Sequence, residues 1–200
     1  MKFRGAEAIV ETIDWHGTKA ISKVRNRRGY RHPSLEKRLV LERLRSEARI
    51  IEKLLSAGIS VPAIYSVNSD SNTIIMEFID GLTLEQALRR QDYEKHLLGT
   101  ARLLSALHSL DVLHGDPTTS NFLVKEKIYA IDFGLSSISD DDENRAADLR
   151  VFLESLDSHH SEINGREMFL KEYSKGDQSK SVLEALKVLE LRGRYNLMRG

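Results

Sequence analysis

The sequence has no cysteine among its 200 residues, which removes disulfides and thiolate metal ligands and fits a reducing compartment. It has no apolar run near the ~20 residues that cross a bilayer, and its start, Met1-Lys2-Phe3-Arg4-Gly5, lacks the apolar core of a signal peptide. No membrane role and a cytoplasmic location are therefore expected. Net charge is also lacking, because 30 basic residues balance 30 acidic ones, so no global field draws the chain to nucleic acid. Charge is instead local: basic from Arg25 to His32, acidic from Asp140 to Glu143, and basic again from Arg192 to Arg199. A glycine-rich phosphate loop of the form G-x-G-x-x-G is missing too; Gly5-Ala6-Glu7-Ala8 offers one glycine. What remains is ordinary for a globular protein, 40% hydrophobic and 30% charged, which excludes disordered and collagen-like classes. The length suits one good core or two small lobes.

The most informative stretch runs from His114 to Gly134: His-Gly-Asp-Pro-Thr-Thr-Ser-Asn, the apolar run Phe122-Leu123-Val124, a polar turn, Ile128-Tyr129-Ala130-Ile131, then Asp-Phe-Gly. The two apolar runs predict a small hairpin. Asn121 just before one strand and Asp132 just after the other would then converge at its open end. An amide and a carboxylate there suit Mg²⁺, which is held by few protein oxygens plus substrate phosphates. Asp116, upstream, is left free to accept a proton. The spacing resembles the kinase signature H-R-D-x-x-x-x-N followed by D-F-G, here with H-G-D. Residue by residue, the resemblance implies that Asp116 orients or deprotonates the attacking hydroxyl or water, and that Asn121 and Asp132 hold Mg²⁺.

Upstream, a short strand at Lys2, strands Ile9–Thr12 and Lys19–Val24, and a turn at Asp14-Trp15-His16-Gly17 predict a β-rich first lobe. The turn Gly5, Ala6, Glu7, Ala8 can lay backbone N–H groups over phosphates, or it can be a plain hairpin loop; Glu7 suits metal or water positioning better than phosphate. Ala20-Ile21-Ser22-Lys23 has the form of the kinase V-A-I-K strand, whose lysine pairs with phosphates and with a helix glutamate. A helix is predicted over Leu35–Ala57, started by Pro33-Ser34 and stopped by Gly58. Of its acids Glu36, Glu42, Glu47 and Glu52, Glu47 is chosen because the small Ala48 beside it permits close packing on a sheet. Strands are expected at Val61–Tyr65 and Thr73–Phe78, the second leading into a hinge whose backbone meets adenine. Ile21, Met76 and Leu123 could sandwich the ring or be core.

Helices are predicted at Leu82–Arg90 with Thr83 as cap, Lys95–His108, Asn144–Leu156 and Val182–Arg192. After Gly134 no A-P-E follows and the usual activation segment is missing. Asp148 either braces the catalytic loop or is an exposed helix acid. The block from Arg25 to Arg31 suits a phosphate-rich or RNA surface, or is a solvated loop.

A narrower resemblance rests on Gly5-Ala6-Glu7-Ala8, Lys23-x-Arg25 with Gly29-Tyr-Arg-His-Pro-Ser-Leu35, Arg45-Ser-Glu-Ala-Arg49, His114-Gly-Asp-x-Thr-Thr-Ser-Asn121 and Arg192-Gly-Arg194. Together these resemble the PRPK family, small atypical kinase/ATPase subunits of the KEOPS complex. Two departures are Pro117, where the family usually has leucine, and an end less basic than usual at Tyr195-Asn196.

The resemblance implies an α+β, bilobal protein kinase-like fold, with residues 1–79 a β-rich N-lobe and 80–200 a reduced helical C-lobe lacking a full activation segment. It further implies an ATP-dependent serine/threonine kinase or ATPase that uses ATP and Mg²⁺ and supports threonylcarbamoyladenosine formation in tRNA. The implied partners are the actin-like threonylcarbamoyl transferase subunit, the small KEOPS subunits and tRNA; the chain alone is expected to be a monomer. The expected site comprises Asp116 and Lys23 for catalysis, Gly5, Ala6, Glu7, Ala8, Lys23, Glu47, Met76, Phe78, Asn121 and Asp132 around the nucleotide, and Asn121 and Asp132 on the metal. Two alternatives are a small-molecule phosphotransferase resembling aminoglycoside and choline kinases, disfavoured by the ~65 residues after Gly134, and a regulatory ATP-binding subunit with little catalysis.

Overall fold

A computed structural model describes residues 2–4, 8–25 and 33–197. The chain divides into two compact units, residues 1–80 with 133–135, and residues 81–132 with 136–200. No helix among the described residues is long and apolar enough to cross a membrane.

The first unit is an antiparallel sheet under one long helix. Strands β1 (Lys2–Arg4), β2 (Ala8–Trp15), β3 (Thr18–Arg25), β4 (Ile64–Asn68) and β5 (Thr73–Glu77) lie in the order β1-β2-β3-β5-β4. β2 and β3 turn on His16 and Gly17, both with positive φ (51° and 80°), the conformation a two-residue hairpin needs, and the Gly17 N–H donates to Asp14 Oδ1 at 3.0 Å. Helix α1 (Pro33–Ser56) buries Val40, Leu44, Glu47, Ala48, Ile51 and Leu54, a helical stripe broken by one acid. Gly58, at φ 76°, ends it. Leu44, Ile74 and Met76 form the core, with Ile21 and Ile64 packed against them.

One strand starts later than the sequence suggests, at Ile64 rather than Val61. Pro62 has no N–H to give a ladder, and the backbone pairs again only where the Glu77 N–H donates to Ala63 O at 2.8 Å.

The second unit holds helices and two small sheets. Strands β6 (Leu82–Thr83), β8 (Phe122–Val124) and β9 (Ile128–Ala130) form one; β7 (Val112–Leu113) and β10 (Ser137–Ile138) form the other. The helices are α2 (Leu84–Ala87), α3 (Tyr93–Ser109), α4 (Asp142–His159), α5 (Gly165–Tyr173) and α6 (Ser179–Leu197).

The helix expected over Leu82–Arg90 shrinks to α2, because Leu82 and Thr83 are spent pairing with Val124 and Leu123. Thr83 then caps α2 in a reciprocal box with Gln86. Helix α5 and the β7–β10 pair were not anticipated. A file of rings joins these parts: Phe122 meets Phe152 edge-on at 5.8 Å, Phe152 stacks on Phe169 at 4.3 Å, and Tyr173 follows at 6.4 Å.

Candidate active site

The loop from His114 to Asn121 hangs from α4. Strand β7 delivers His114 and Gly115, and Asp148 accepts both of their backbone N–H groups, His114 at Oδ2 and Gly115 at Oδ1, each at 2.8 Å. Asp148 is therefore a buried brace and not an exposed helix acid. His108 Nε2 donates to Asp148 Oδ2 at 3.1 Å, and the Tyr173 hydroxyl lies 2.6 Å from the other ring nitrogen. Burial alone would raise the Asp148 pKa. The hydrogen bond and charge of His108 with the His114 N–H outweigh it and hold the carboxyl below the ordinary carboxylate range.

One α-helical repeat of seven residues beyond Asp148, Ser155 Oγ accepts the Thr119 N–H at 3.1 Å and lies 3.2 Å from its hydroxyl. Residues seven apart share a helix face, so one side of α4 holds the loop near each end.

Inside the loop, the Thr118 N–H donates to Asp116 O at 2.8 Å and the Asn121 N–H to Thr118 O at 2.9 Å. The Asn121 amide nitrogen donates to Asp116 O at 2.8 Å and to Asp116 Oδ2 at 3.0 Å. Two acceptors fix which end of the amide points inward, leaving Oδ1 as the end with cation-binding chemistry. The Ile131 N–H donates to Asn121 O at 3.0 Å, so the residue before Asp132 is tied to Asn121. His114 Nε2 donates to Ile131 O at 3.0 Å while its Nδ1 accepts the Asp116 N–H at 3.4 Å, which defines a neutral imidazole. Burial pushes its pKa below the ordinary 6.5, against the opposing pull of Asp148. Asp132 is exposed and sits at φ 62°, a left-handed conformation in which few non-glycine residues are found.

In the first unit, Lys23 and Arg25 project from the same face of β3 and Glu47 from α1. Lys23 Nζ donates to Glu47 Oε1 at 2.6 Å and Arg25 Nη2 to Oε2 at 2.5 Å, with all three residues at most 6% exposed. Glu47 thus pairs with Lys23, whereas Glu42 pairs at the surface with Arg38 at 2.9 Å, and Glu52 is exposed. Met76 belongs to the core, and Phe78 carries the Lys19 ammonium 3.8 Å from its ring centroid. Ala8 is buried at the start of β2; Gly5, Ala6 and Glu7, like Asn26 to His32, lie outside the described residues.

Sequence reasoning passed over Arg25, His108, Ser155 and Tyr173 as parts of the site. Arg25 could have been found two residues from Lys23 on a strand, and Ser155 seven from Asp148 on a helix. His108 and Tyr173 carry no local signal.

For Mg²⁺ the donor chemistry fits: one carboxylate and one amide oxygen from the protein, with phosphate oxygens to complete the shell. Among the described residues no group of three or more His, Cys, Asp or Glu side chains could hold a metal alone.

A five-stranded antiparallel sheet with one long helix, then a mainly helical unit carrying a D-x-x-x-x-N loop and a strand hairpin, is the build of the protein-kinase-like class. Solved structures agree at the level of fold: the Rio2 kinase–ADP/Mg²⁺–phosphoaspartate complex from Chaetomium thermophilum has a TM-score of 0.67 at 18% identity, covering 94% of this chain and 64% of that one. WaaP in complex with acyl carrier protein has a TM-score of 0.63 at 17% identity, covering 97% and 87%.

Residues 37–164 match the ABC1 atypical kinase-like domain. The chain is 39% identical to the EKC/KEOPS complex subunit BUD32 of Encephalitozoon cuniculi, over 96% of this chain and 94% of that protein. It is 33% identical to the KEOPS complex subunit Bud32 of Pyrococcus abyssi, over 96% and 94%. It is 41% identical to a probable bifunctional tRNA threonylcarbamoyladenosine biosynthesis protein of Methanospirillum hungatei, of which it spans 36%. The chain belongs to the Bud32 family of atypical kinase-like proteins.

Proposed function

We propose that this chain binds Mg-ATP and either hydrolyses it or transfers its γ-phosphate to a serine or threonine hydroxyl, in support of threonylcarbamoyladenosine formation in tRNA. The observation that carries the reading is the Lys23–Glu47 pair. A lysine is almost never buried without a purpose for its charge, and here a buried carboxylate aims the ammonium at 2.6 Å.

In this reading Lys23 binds the nucleotide phosphates, and Asn121 and Asp132 hold Mg²⁺. Bound there, the ion supplies neutralisation of phosphate charge. Asp116 accepts the proton of the attacking hydroxyl or water through the carboxylate that Asn121 orients. Adenine is read by the backbone after β5. The KEOPS names of the relatives support a multi-subunit setting. The partners proposed are the actin-like threonylcarbamoyl transferase subunit, the smaller subunits of that complex and tRNA. The cytoplasm is the proposed location.

The test is ATP turnover, following free and protein-bound phosphate, for the chain alone and with the actin-like subunit and tRNA added. Partner-stimulated phosphate release with little label on protein supports a tRNA-modification ATPase. Labelled serine or threonine, indifferent to partner and tRNA, makes protein kinase activity the main one. Asp116→Ala should abolish turnover, and full activity in that variant removes the assigned base.

A further inference from the structure

Lys23 and Arg25 lie two apart on β3 and therefore face the same way. Each takes a different oxygen of Glu47, so both ends of that carboxylate are held. Arg25 also reaches elsewhere: the Nη2 that meets Glu47 lies 3.4 Å from the carbonyl oxygen of Gly134. Nη2 carries two N–H groups, so this one nitrogen can serve both acceptors, in directions that the planar guanidinium fixes and a freely rotating ammonium does not. Phe133–Leu135 cluster with the same unit as the sheet and α1, and Phe133 is only 1% exposed. Gly134 ends the Asp132-Phe133-Gly134 turn.

The remaining chain explains why such a contact would matter. In protein kinases, the strand-lysine to helix-glutamate pair and the D-F-G aspartate must both be in place, a state that activation-loop phosphorylation controls. Here only residues 135–141 separate Gly134 from α4. Ser137 and Ile138 within them pair with Leu113 and Val112, the Ser139 N–H donates to Asp111 O at 2.8 Å, and Asp141 caps α4. That leaves no long segment to be ordered by a phosphate.

We propose that Arg25 is a positioning residue that fastens the Asp132-Phe133-Gly134 turn to Glu47, so that the metal-binding turn and the lysine–glutamate pair are set without phosphorylation. The inference rests on the Mg-ATP reading above. Replacing Arg25 disturbs Asp132 through the backbone between them, while Lys23 keeps its own oxygen of Glu47. The loss should therefore fall on Mg²⁺ use more than on nucleotide affinity.

The experiment compares the full chain with its Arg25→Lys and Arg25→Gln variants. ADP binding is measured by calorimetry over a Mg²⁺ titration, turnover over the same titration, and thermal stability alongside. The expected result is a Mg²⁺ half-saturation raised about tenfold in both variants, with lowered kcat and metal-free ADP affinity near that of the parent. A variant that melts earlier but keeps the parental Mg²⁺ half-saturation shows that Arg25 only holds the sheet together, and overturns the proposal. Phosphatase treatment of the unmutated protein decides the point even if both variants fail to fold: activity should be unchanged, and its loss overturns the proposal. Unmutated protein that neither binds nor turns over ATP, alone or with its partners, ends the Mg-ATP reading and the Arg25 role with it. Active protein with indifferent variants ends the Arg25 role alone.

Discussion

Asp132 is held at φ 62°, a left-handed conformation that aspartate visits more readily than most side chains, as Asp111 at φ 60° also shows. At Asp132 the backbone cost and the proposed role of the carboxylate can be measured apart. Three substitutions separate the two effects. Asp132→Asn should retain stability, because asparagine tolerates the left-handed region, and should lose turnover for want of charge. Asp132→Ala and Asp132→Gly should both be inactive, with the glycine variant more stable by about 1 kcal/mol in urea denaturation. Equal stability of those two would show that the backbone there is not strained.

Asp116, Asn121 and Asp132 could be proposed from the sequence because their spacing sits beside two short apolar runs, and the structure does fold those runs into the expected hairpin. Glu47 was chosen from four helix acids for the small Ala48 beside it, and the structure buries it against Lys23. Arg25 was not, because it falls just past the strand read over Lys19–Val24, in a basic block that reads as a phosphate-rich surface or as a solvated loop alike; only the sheet brings Glu47 against it.

Helix α4 shows how a scaffold element serves a loop. Asp148 and Ser155, seven residues apart, take three backbone N–H groups of the catalytic loop. Ser155→Ala leaves the buried Thr119 N–H without its acceptor, so a loss of about 1–3 kcal/mol is expected in chemical denaturation. Turnover should fall further than the folded fraction does, since the same loop carries Asp116 and Asn121. A variant with parental stability and rate would mean that Thr119 finds another acceptor. Helices longer than four turns were legible, and α1, α3, α4 and α6 all cover the expected segments, although α6 starts before Val182 and runs on past Arg192 to Leu197. The two-residue strands were not, because no pattern of period two can be seen in Val112–Leu113 or Ser137–Ile138; only their partners define them.

For the molecule as a whole, the buried groups of the second unit set the response to acid. His114 and His160 are both held below the ordinary 6.5, each mainly by burial. The unfolded chain therefore binds their protons at a pH where the folded chain does not, and stability falls as pH drops below about 6.5. Asp148, lowered from 3.8, adds its loss only below that value. Urea midpoints should thus begin to fall in mild acid, before carboxylates titrate, and a midpoint flat between about pH 7 and about pH 5 would contradict this. Protonation of His114 at Nδ1 in the folded chain also removes the acceptor for the Asp116 N–H, so activity should decline at a lower pH than the one at which stability begins to fall.

Only three residues, Phe133–Leu135, leave the second unit to join the first, and they arrive from far along the chain. A gene cut after codon 80 would consequently encode a sheet and helix deprived of the Gly134 carbonyl that Arg25 meets. A replacement of the first eighty residues would have to supply a new donor for that carbonyl.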